Sequence, residues 1–228
     1  MNRRGRHIRL GRLYTRRNKD RIAQVKLFLA AKRMAEQGSA TAQFNLGKMY
    51  ANGFGVTEDD SQAVNWYAKA AEQGYAPAQC SLGWMYLEGR GVVQDRAEGV
   101  NWFRKAAEQG NAAGQTILGQ LYEEGETYVT GLGITKDDAE AARWYEKAAE
   151  QGDALAQYSL GMLYAEGRGV GRDDSVAVKW LRKAAEQGDA EAQYDLGIMY
   201  EEGRGVAQDD DEALKWFLKS TEQEAERV

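Results

Sequence analysis

The tetrapeptide AEQG occurs five times in this chain, and its spacing restricts the fold more than any other feature. Its glycine stands at positions 38, 74, 110, 152 and 188, so successive copies lie 36, 36, 42 and 36 residues apart. A repeat of nearly constant length in this range is typical of a solenoid, in which each unit packs on its neighbours. The sequence therefore predicts an array of similar units rather than one large core.

Each unit is predicted to be a helical hairpin. Residues 39–74 contain two segments of helical apolar periodicity separated by glycine-rich turns, and no β-branched run favours a strand. Polar residues that cap helix N-termini and glycines that end helices recur with the same period. First helices are predicted to begin after Ser39, Asn111, Asp153 and Asp189 and to end at Gly53, Gly89, Gly125, Gly167 and Gly203; second helices are predicted to begin after Asp59, Asp95, Asp137, Asp173 and Asp209.

The core is predicted from the positions that do not change between units. In the first unit these are Ala42, Leu46, Gly47, Tyr50, Ala63, Trp66, Ala70 and Ala71. Five of the six tryptophans share the register of Trp66, so we interpret them as core residues. Trp84 is the exception, because its position in LGWMY holds a different residue in every other copy: Lys48, Gln120, Met162 and Ile198.

The combined pattern A-x2-LG-x-MY-x2-G-x-GV-x2-D-x3-A-x2-W-x2-KAAEQG resembles the Sel1-like repeat, a relative of the tetratricopeptide repeat. The resemblance implies an all-α, right-handed superhelical solenoid of paired antiparallel helices. It also implies a protein-binding adaptor, of the kind used in bacterial signalling, secretion or envelope regulation. The five predicted repeats are 39–74, 75–110, 111–152, 153–188 and 189–222, within a repeat domain at 39–228; residues 20–38 resemble the second helix of a degenerate capping unit, and 1–19 form a basic arm expected to be disordered.

A partner surface is predicted on the first helices. One stripe of each first helix lies next to its core face by helical spacing, and resemblance to tetratricopeptide proteins places this stripe on the concave surface. We expect it to bind a protein or peptide through mostly apolar and aromatic side chains. Its predicted members are Phe44, Lys48, Cys80, Trp84, Leu87, Thr116, Gln120, Glu123, Tyr158, Met162, Tyr194, Ile198 and Glu201. For Trp84 and its neighbours, packing between hairpins is the alternative.

The third repeat carries a six-residue insertion, ETYVTG, at 126–131. Insertions in repeats protrude at one edge, so Tyr128 and Val129 are candidate partner contacts. Loop drift without function is the alternative.

Few residues suit catalysis or metal binding. The chain has one histidine, His7, and one cysteine, Cys80, which are far apart in sequence. The acidic clusters at 58–60 and 209–212 lack the ligand spacing of a calcium loop. We therefore expect no catalytic residues, no metal, no cofactor and no small-molecule substrate. A cell-wall-related hydrolase or an enzyme subunit is the competing class.

Charge separates the basic arm from an acidic body. Residues 1–35 carry a net charge of +11, whereas the remaining residues carry −16. The arm could be a tail, a targeting segment, or a tether to nucleic acid or an anionic membrane, but the acidic body opposes a tether. A single cysteine and the lack of a signal peptide or long apolar segment favour a cytoplasmic location, and a monomer is favoured.

Overall fold

The computed structural model describes the backbone of residues 3–125 and 134–226 and the side chains of residues 19–125 and 134–222. This part of the chain forms eleven helices and no strand, which confirms the all-α prediction. The helices are α1 (Arg3–Glu36), α2 (Ala40–Ala51), α3 (Asp60–Glu72), α4 (Ala76–Glu88), α5 (Arg96–Glu108), α6 (Ala112–Glu124), α7 (Asp138–Glu150), α8 (Ala154–Glu166), α9 (Asp174–Glu186), α10 (Ala190–Glu202) and α11 (Asp210–Glu226). Tyr128 and Val129 lie outside the described residues.

The chain divides into two compact units, residues 1–102 and 103–228. In the N-terminal unit, α1 packs on α2, α2 packs on α3, and α3 packs on α4. In the C-terminal unit, α6 to α11 pack in the same sequential manner, with a smaller contact between α6 and α8. Packing between chain neighbours is the arrangement of a helical solenoid, as the repeats predicted.

The predicted helix caps are confirmed. Asp153 Oδ1 accepts a hydrogen bond from the backbone N–H of Ala156 at 2.9 Å, and Asp173 accepts one from Val176 at 3.0 Å. At the other ends, α4, α6, α8 and α10 stop at glycines in the left-handed conformation. The first repeat differs slightly, because Asn52 is the C-cap of α2 and Gly53 follows it.

The LG pair of each first helix forms the centre of each hairpin. The leucines are at most 1% exposed: Leu46, Leu82, Leu118, Leu160 and Leu196. The glycine that follows lets the second helix approach closely. A Cβ on Gly119 would lie 2.5 Å from a ring carbon of Tyr145, and one on Gly161 would lie 2.9 Å from Leu181 Cγ. Tyr145 and Leu181, which each follow a tryptophan, therefore fill the cores of their hairpins.

The tryptophans lie further out than predicted. Only Trp180 and Trp216 are buried, while Trp66, Trp102 and Trp144 are half-buried, and so is Tyr50. The next residue in the chain occupies the space above the glycine, so the indole is directed to the edge of the core. There the lysine three residues further along the chain lies over the ring in a cation–π contact. The ammonium-to-ring distances are 4.2 Å for Lys69 and Trp66, 4.0 Å for Lys147 and Trp144, 4.1 Å for Lys183 and Trp180, and 3.9 Å for Lys219 and Trp216.

The hairpin loops dock on the preceding repeat. Arg90 forms a two-point ion pair with Asp60, at 2.9 and 3.2 Å, and Arg204 donates to Asp174 at 3.0 Å. Gly91 lies so close to the Asp60 carbonyl that a Cβ would overlap it, and Gly205 lies equally close to the Asp174 carbonyl. These contacts fix the loop of one repeat against the second helix of the repeat before it.

The end of α1 takes the place of such a second helix. A Cβ on Gly55 would overlap the Gln24 carbonyl, just as one on Gly91 would overlap that of Asp60, 36 residues later in the chain. However, Ala23 stands where the repeats carry a capping aspartate, and the helix is not stopped there. The α1 helix begins at Arg3, so its backbone includes most of the basic arm, which the sequence predicted to be disordered. The role of the arm stays a prediction.

Candidate partner-binding site

In the N-terminal unit, Trp84 is the most exposed apolar member of the predicted stripe. Its side chain is 42% exposed on α4, whereas Leu82 and Met85 on the same helix are 1% and 4% exposed. Leu87, one turn further on, is half-buried. The fold therefore holds an indole at the surface between residues that it buries completely.

Phe44 and Lys48 occupy the corresponding stripe of α2. Phe44 is half-buried and lies 5.4 Å from the ring of Tyr75 and 5.8 Å from that of Tyr67. Lys48 is exposed, and its ammonium lies 5.7 Å from the centre of the Phe44 ring. Phe44 thus contributes both to packing and to the surface, with a cation beside it.

Two predicted contact residues are buried and must be removed from the stripe. Cys80 is 8% exposed and Thr116 is 5% exposed, so neither offers a usable surface to a partner. The Thr116 hydroxyl donates to the Ala112 carbonyl at 3.0 Å, as a packed helical threonine does. Burial raises the pKa of the Cys80 thiol to about 11, which keeps it protonated and a poor nucleophile at neutral pH.

Glu123, also predicted as a partner contact, is bonded to other side chains of the protein. Its carboxylate accepts hydrogen bonds from the Tyr145 hydroxyl and from Arg168, both at 2.7 Å. Burial, reinforced by Glu123, raises the pKa of Tyr145 above its ordinary value. These contacts join α6, α7 and the loop after α8, so Glu123 has a structural role. Gln120, on the same helix, is half-buried.

The remaining stripe residues lie on α8 and α10. Tyr194 is 54% exposed and packs one face on Phe217, with 5.4 Å between ring centroids. Met162 and Ile198 are half-buried, and Glu201 is exposed. The structure brings Tyr158 and Tyr194 together as walls of one open pocket of about 460 Å³.

Acidic side chains that the sequence did not single out line the same pocket. They are Glu191 and Asp195, on α10. Burial raises the pKa of Asp195 above its ordinary value, and the neighbouring carboxylate of Glu191 adds to the effect, while a hydrogen bond from Tyr158 opposes it. One signal in the sequence could have found Asp195. The same position holds no carboxylate in the other repeats, where it is Asn45, Ser81, Ile117 or Ser159.

A second exposed apolar surface lies on α1. Leu27 and Met34 are 56% and 55% exposed, although Ala63 and Ala70, 36 residues later, are fully buried. In the complete repeats this face packs against the first helix of the same hairpin. The repeat pattern could not reveal this surface, because α1 departs from that pattern.

Among the described residues, no three histidine, cysteine, aspartate or glutamate side chains are grouped so that they could hold a metal ion. None of the described helices is both long and apolar enough to cross a lipid bilayer. The side chain of His7 lies outside the described set.

Comparison with solved structures places the fold among bacterial repeat proteins. A protective antigen of uropathogenic Escherichia coli with an SLR fold matches at 41% identity and a TM-score of 0.79, over 94% of this chain and 48% of the antigen. This chain thus spans about half the length of that relative. A Sel1 repeat protein from Oxalobacter formigenes matches at 39% identity and a TM-score of 0.73, over 82% of this chain and 74% of that one.

Other comparisons bear on the family. A structure described as a sel1 repeat protein from Klebsiella pneumoniae shares the fold at 24% identity, with a TM-score of 0.51 over 85% of this chain and 95% of that one. None of the curated proteins matches the chain. The Sel1 repeat model matches five successive segments, 40–75, 76–111, 112–153, 154–189 and 190–224. Because these segments make up most of the sequence, the chain belongs to the Sel1 repeat family.

Proposed function

We propose that this protein is a non-catalytic adaptor that binds a segment of a protein partner along the stripe of its first helices. Sel1-repeat proteins generally mediate protein–protein interaction. The observation that carries the proposal is the exposure of Trp84 and Tyr194, at 42% and 54%, at positions where the repeat requires no particular residue. The bacterial relatives make signalling, secretion or envelope regulation the processes to examine first.

The physical argument concerns what these aromatics contribute. The buried hairpin cores include the LG leucines, several alanines and most of the residues that follow a tryptophan, and they do not include Trp84 or Tyr194. An exposed indole or phenol ring can lose a large apolar area to a partner at a small cost in side-chain entropy. Tryptophan and tyrosine are the residues most often found at the energetic centre of protein interfaces.

A pull-down with matched variants tests the proposal. Tagged wild-type protein and the variants Trp84→Ala and Val93→Ala are incubated with lysate, and bound proteins are quantified by mass spectrometry. Val93 is 86% exposed and lies outside the stripe, so it controls for loss of an exposed apolar side chain. We expect one partner to be depleted with Trp84→Ala and retained with Val93→Ala. Equal recovery with all three proteins would contradict the assignment of Trp84.

A further inference from the structure

The pocket between Tyr158 and Tyr194 is a separate compartment of the stripe. It is formed by α8, α10 and α11, and its volume is about 460 Å³. That space is many times the roughly 30 Å³ that a water molecule occupies in the liquid, so it can admit a long side chain. Aromatic rings form part of its wall and polar groups line the rest.

The serine and threonine hydroxyl groups of this pocket already use their hydrogen atoms inside the protein. Ser220 donates to the Phe217 carbonyl at 2.8 Å, and Thr221 donates to the Leu218 carbonyl at 2.9 Å. What these groups still offer to a ligand is therefore their oxygen lone pairs, and such a lining favours a ligand that donates hydrogen bonds.

The negative charge of the pocket also favours a ligand that donates hydrogen bonds, and in particular a cation. Glu191 and Asp195 are four residues apart, so they lie on one face of α10. Neither takes part in an ion pair with any described residue. Asp195 is half-buried, so its carboxylate carries a desolvation cost. It also lies near the negative charge of Glu191. A cation in the pocket would offset both costs.

We propose that this pocket binds the cationic head of a lysine or arginine side chain of the partner. The carboxylates of Asp195 and Glu191 accept hydrogen bonds from the ammonium or guanidinium group. The faces of Tyr158 and Tyr194 lie against its charge and its aliphatic stem. This inference rests on the proposed function and adds the chemistry that one part of the stripe selects.

The test uses small probes and the full-length protein. N-acetyl-lysine methylamide and N-acetyl-arginine methylamide are titrated into protein with 13C-labelled tyrosine rings, and N-acetyl-norleucine methylamide serves as the uncharged control. We expect the two cationic probes to give saturable shifts of the Tyr158 and Tyr194 signals, with norleucine giving none. Binding should also lower the apparent pKa of the Asp195 carboxyl, followed by NMR, because the cation stabilises the ionised form.

Two variants of equal charge separate the pocket from general electrostatics. Asp195→Asn is expected to weaken cation binding by about tenfold or more, the scale for loss of a charge-assisted hydrogen bond. Asp211→Asn removes one negative charge from an exposed site on α11 and should leave the affinity unchanged. Melting curves of both variants establish that they fold.

Three results would overturn the inference: norleucine shifts equal to those of lysine, full affinity in Asp195→Asn, or no saturable shift with either cation. None of these results depends on Trp84. If the pocket does not bind the cationic probes and Trp84→Ala still loses its partner, only this inference is wrong. If the cations bind at Asp195 and no stripe variant affects a partner, the adaptor proposal fails instead.

Discussion

Gln157 donates through its Nε2 to the carbonyl oxygen of Ala149 at 3.0 Å, and this hydrogen bond joins the fourth repeat to the third. The Gln157 side chain is 4% exposed, and its Oε1 accepts from Gln187 at 2.8 Å, so the buried amide is bonded at both ends. The bond to an alanine carbonyl eight residues earlier recurs in every repeat, from Gln43, Gln79, Gln115 and Gln193. A satisfied polar group in a buried interface fixes the register of adjacent repeats.

Replacement of Gln157 by leucine should destabilise the protein. The substitution keeps a similar volume but leaves the Ala149 carbonyl and the Gln187 amide without their partner. We expect a loss of about 1–3 kcal/mol in the free energy of unfolding, the cost of burying unsatisfied polar groups. Urea denaturation measures it. Gln208→Leu is the control, because Gln208 makes a 2.8 Å bond to the Glu201 carbonyl at an exposed site; equal losses would show that burial of the amide is unimportant.

Gly119→Ala should be more harmful than a helical glycine-to-alanine change normally is. A Cβ at this position would lie 2.5 Å from two ring carbons of Tyr145. Overpacking of this kind costs about 1–3 kcal/mol. The change from glycine to alanine gains about 1 kcal/mol in helix propensity, so the upper part of the overpacking cost outweighs this gain. Thermal melts should therefore show a lower midpoint for Gly119→Ala.

Gly171→Ala provides the comparison for that measurement. No atom lies within 4 Å of a Cβ at Gly171, and its backbone conformation suits alanine. The midpoint of this variant should stay the same or rise slightly. If Gly119→Ala melts at or above the wild-type temperature, the close approach of α6 and α7 does not require glycine.

The hairpins, the caps and the LG core could be predicted because a repeat shows directly which positions the fold requires. A repeat does not show what each required residue contacts. Periodicity therefore predicts a core position for Trp66, although the ring lies at the edge of the core beneath Lys69, and it gives no indication of the role of Gln157. The prediction of a surface position for Cys80 was wrong because helical spacing alone does not reveal what the neighbouring helices cover.

The pocket was harder to foresee. Tyr158 and Tyr194 occupy the predicted stripe, but the role of Asp195 in a pocket depends on the way α8, α10 and α11 surround one space. Its chemistry depends on hydrogen-bond partners from separate helices, and periodicity carries no information about those. Deviations from the repeat, such as an aspartate where the other copies have small, polar or apolar residues, are the best sequence signals for such a site.

Asp195→Ser should raise the free energy of unfolding at neutral pH. Serine is the residue at the equivalent position of the preceding repeat, Ser159. Burial raises the folded-state pKa of Asp195 above its unfolded value. An acid with a raised pKa binds its proton more tightly in the folded state, so stability falls as the pH rises through the unfolded and then the folded pKa.

The gain in the free energy of unfolding from Asp195→Ser should therefore be absent at pH values below the pKa of Asp195 in the unfolded chain. It should be complete at pH values above the pKa of Asp195 in the folded protein. Urea denaturation at a series of pH values measures the difference from wild type. A variant that is less stable than wild type at pH 7 would mean that the hydrogen bond from Tyr158 outweighs the desolvation of the carboxylate.

Trp84→Ala should separate folding from binding. Because Trp84 is 42% exposed, its replacement should lower the free energy of unfolding by much less than the loss of a fully buried aromatic side chain. Tyr145→Ala, at a fully buried position, should cost about 3–5 kcal/mol. Binding of the partner should weaken by about 2 kcal/mol or more in Trp84→Ala, the scale of an interface hot spot. Calorimetric melts and titrations check both parts, and a melt lowered as far as in Tyr145→Ala would identify Trp84 as a packing residue.

Site-specific photo-crosslinking in living cells tests the stripe most directly, because it captures a partner whose identity is unknown. A photoreactive benzoylphenylalanine replaces Trp84 or Tyr194 on the stripe, and Val93 or Leu214 at sites outside it that are 86% and 56% exposed. We predict that the same protein is crosslinked from Trp84 and from Tyr194, and from neither Val93 nor Leu214. Crosslinks that form equally from all four positions, or from Val93 and Leu214 alone, would contradict a partner-binding surface on the first helices.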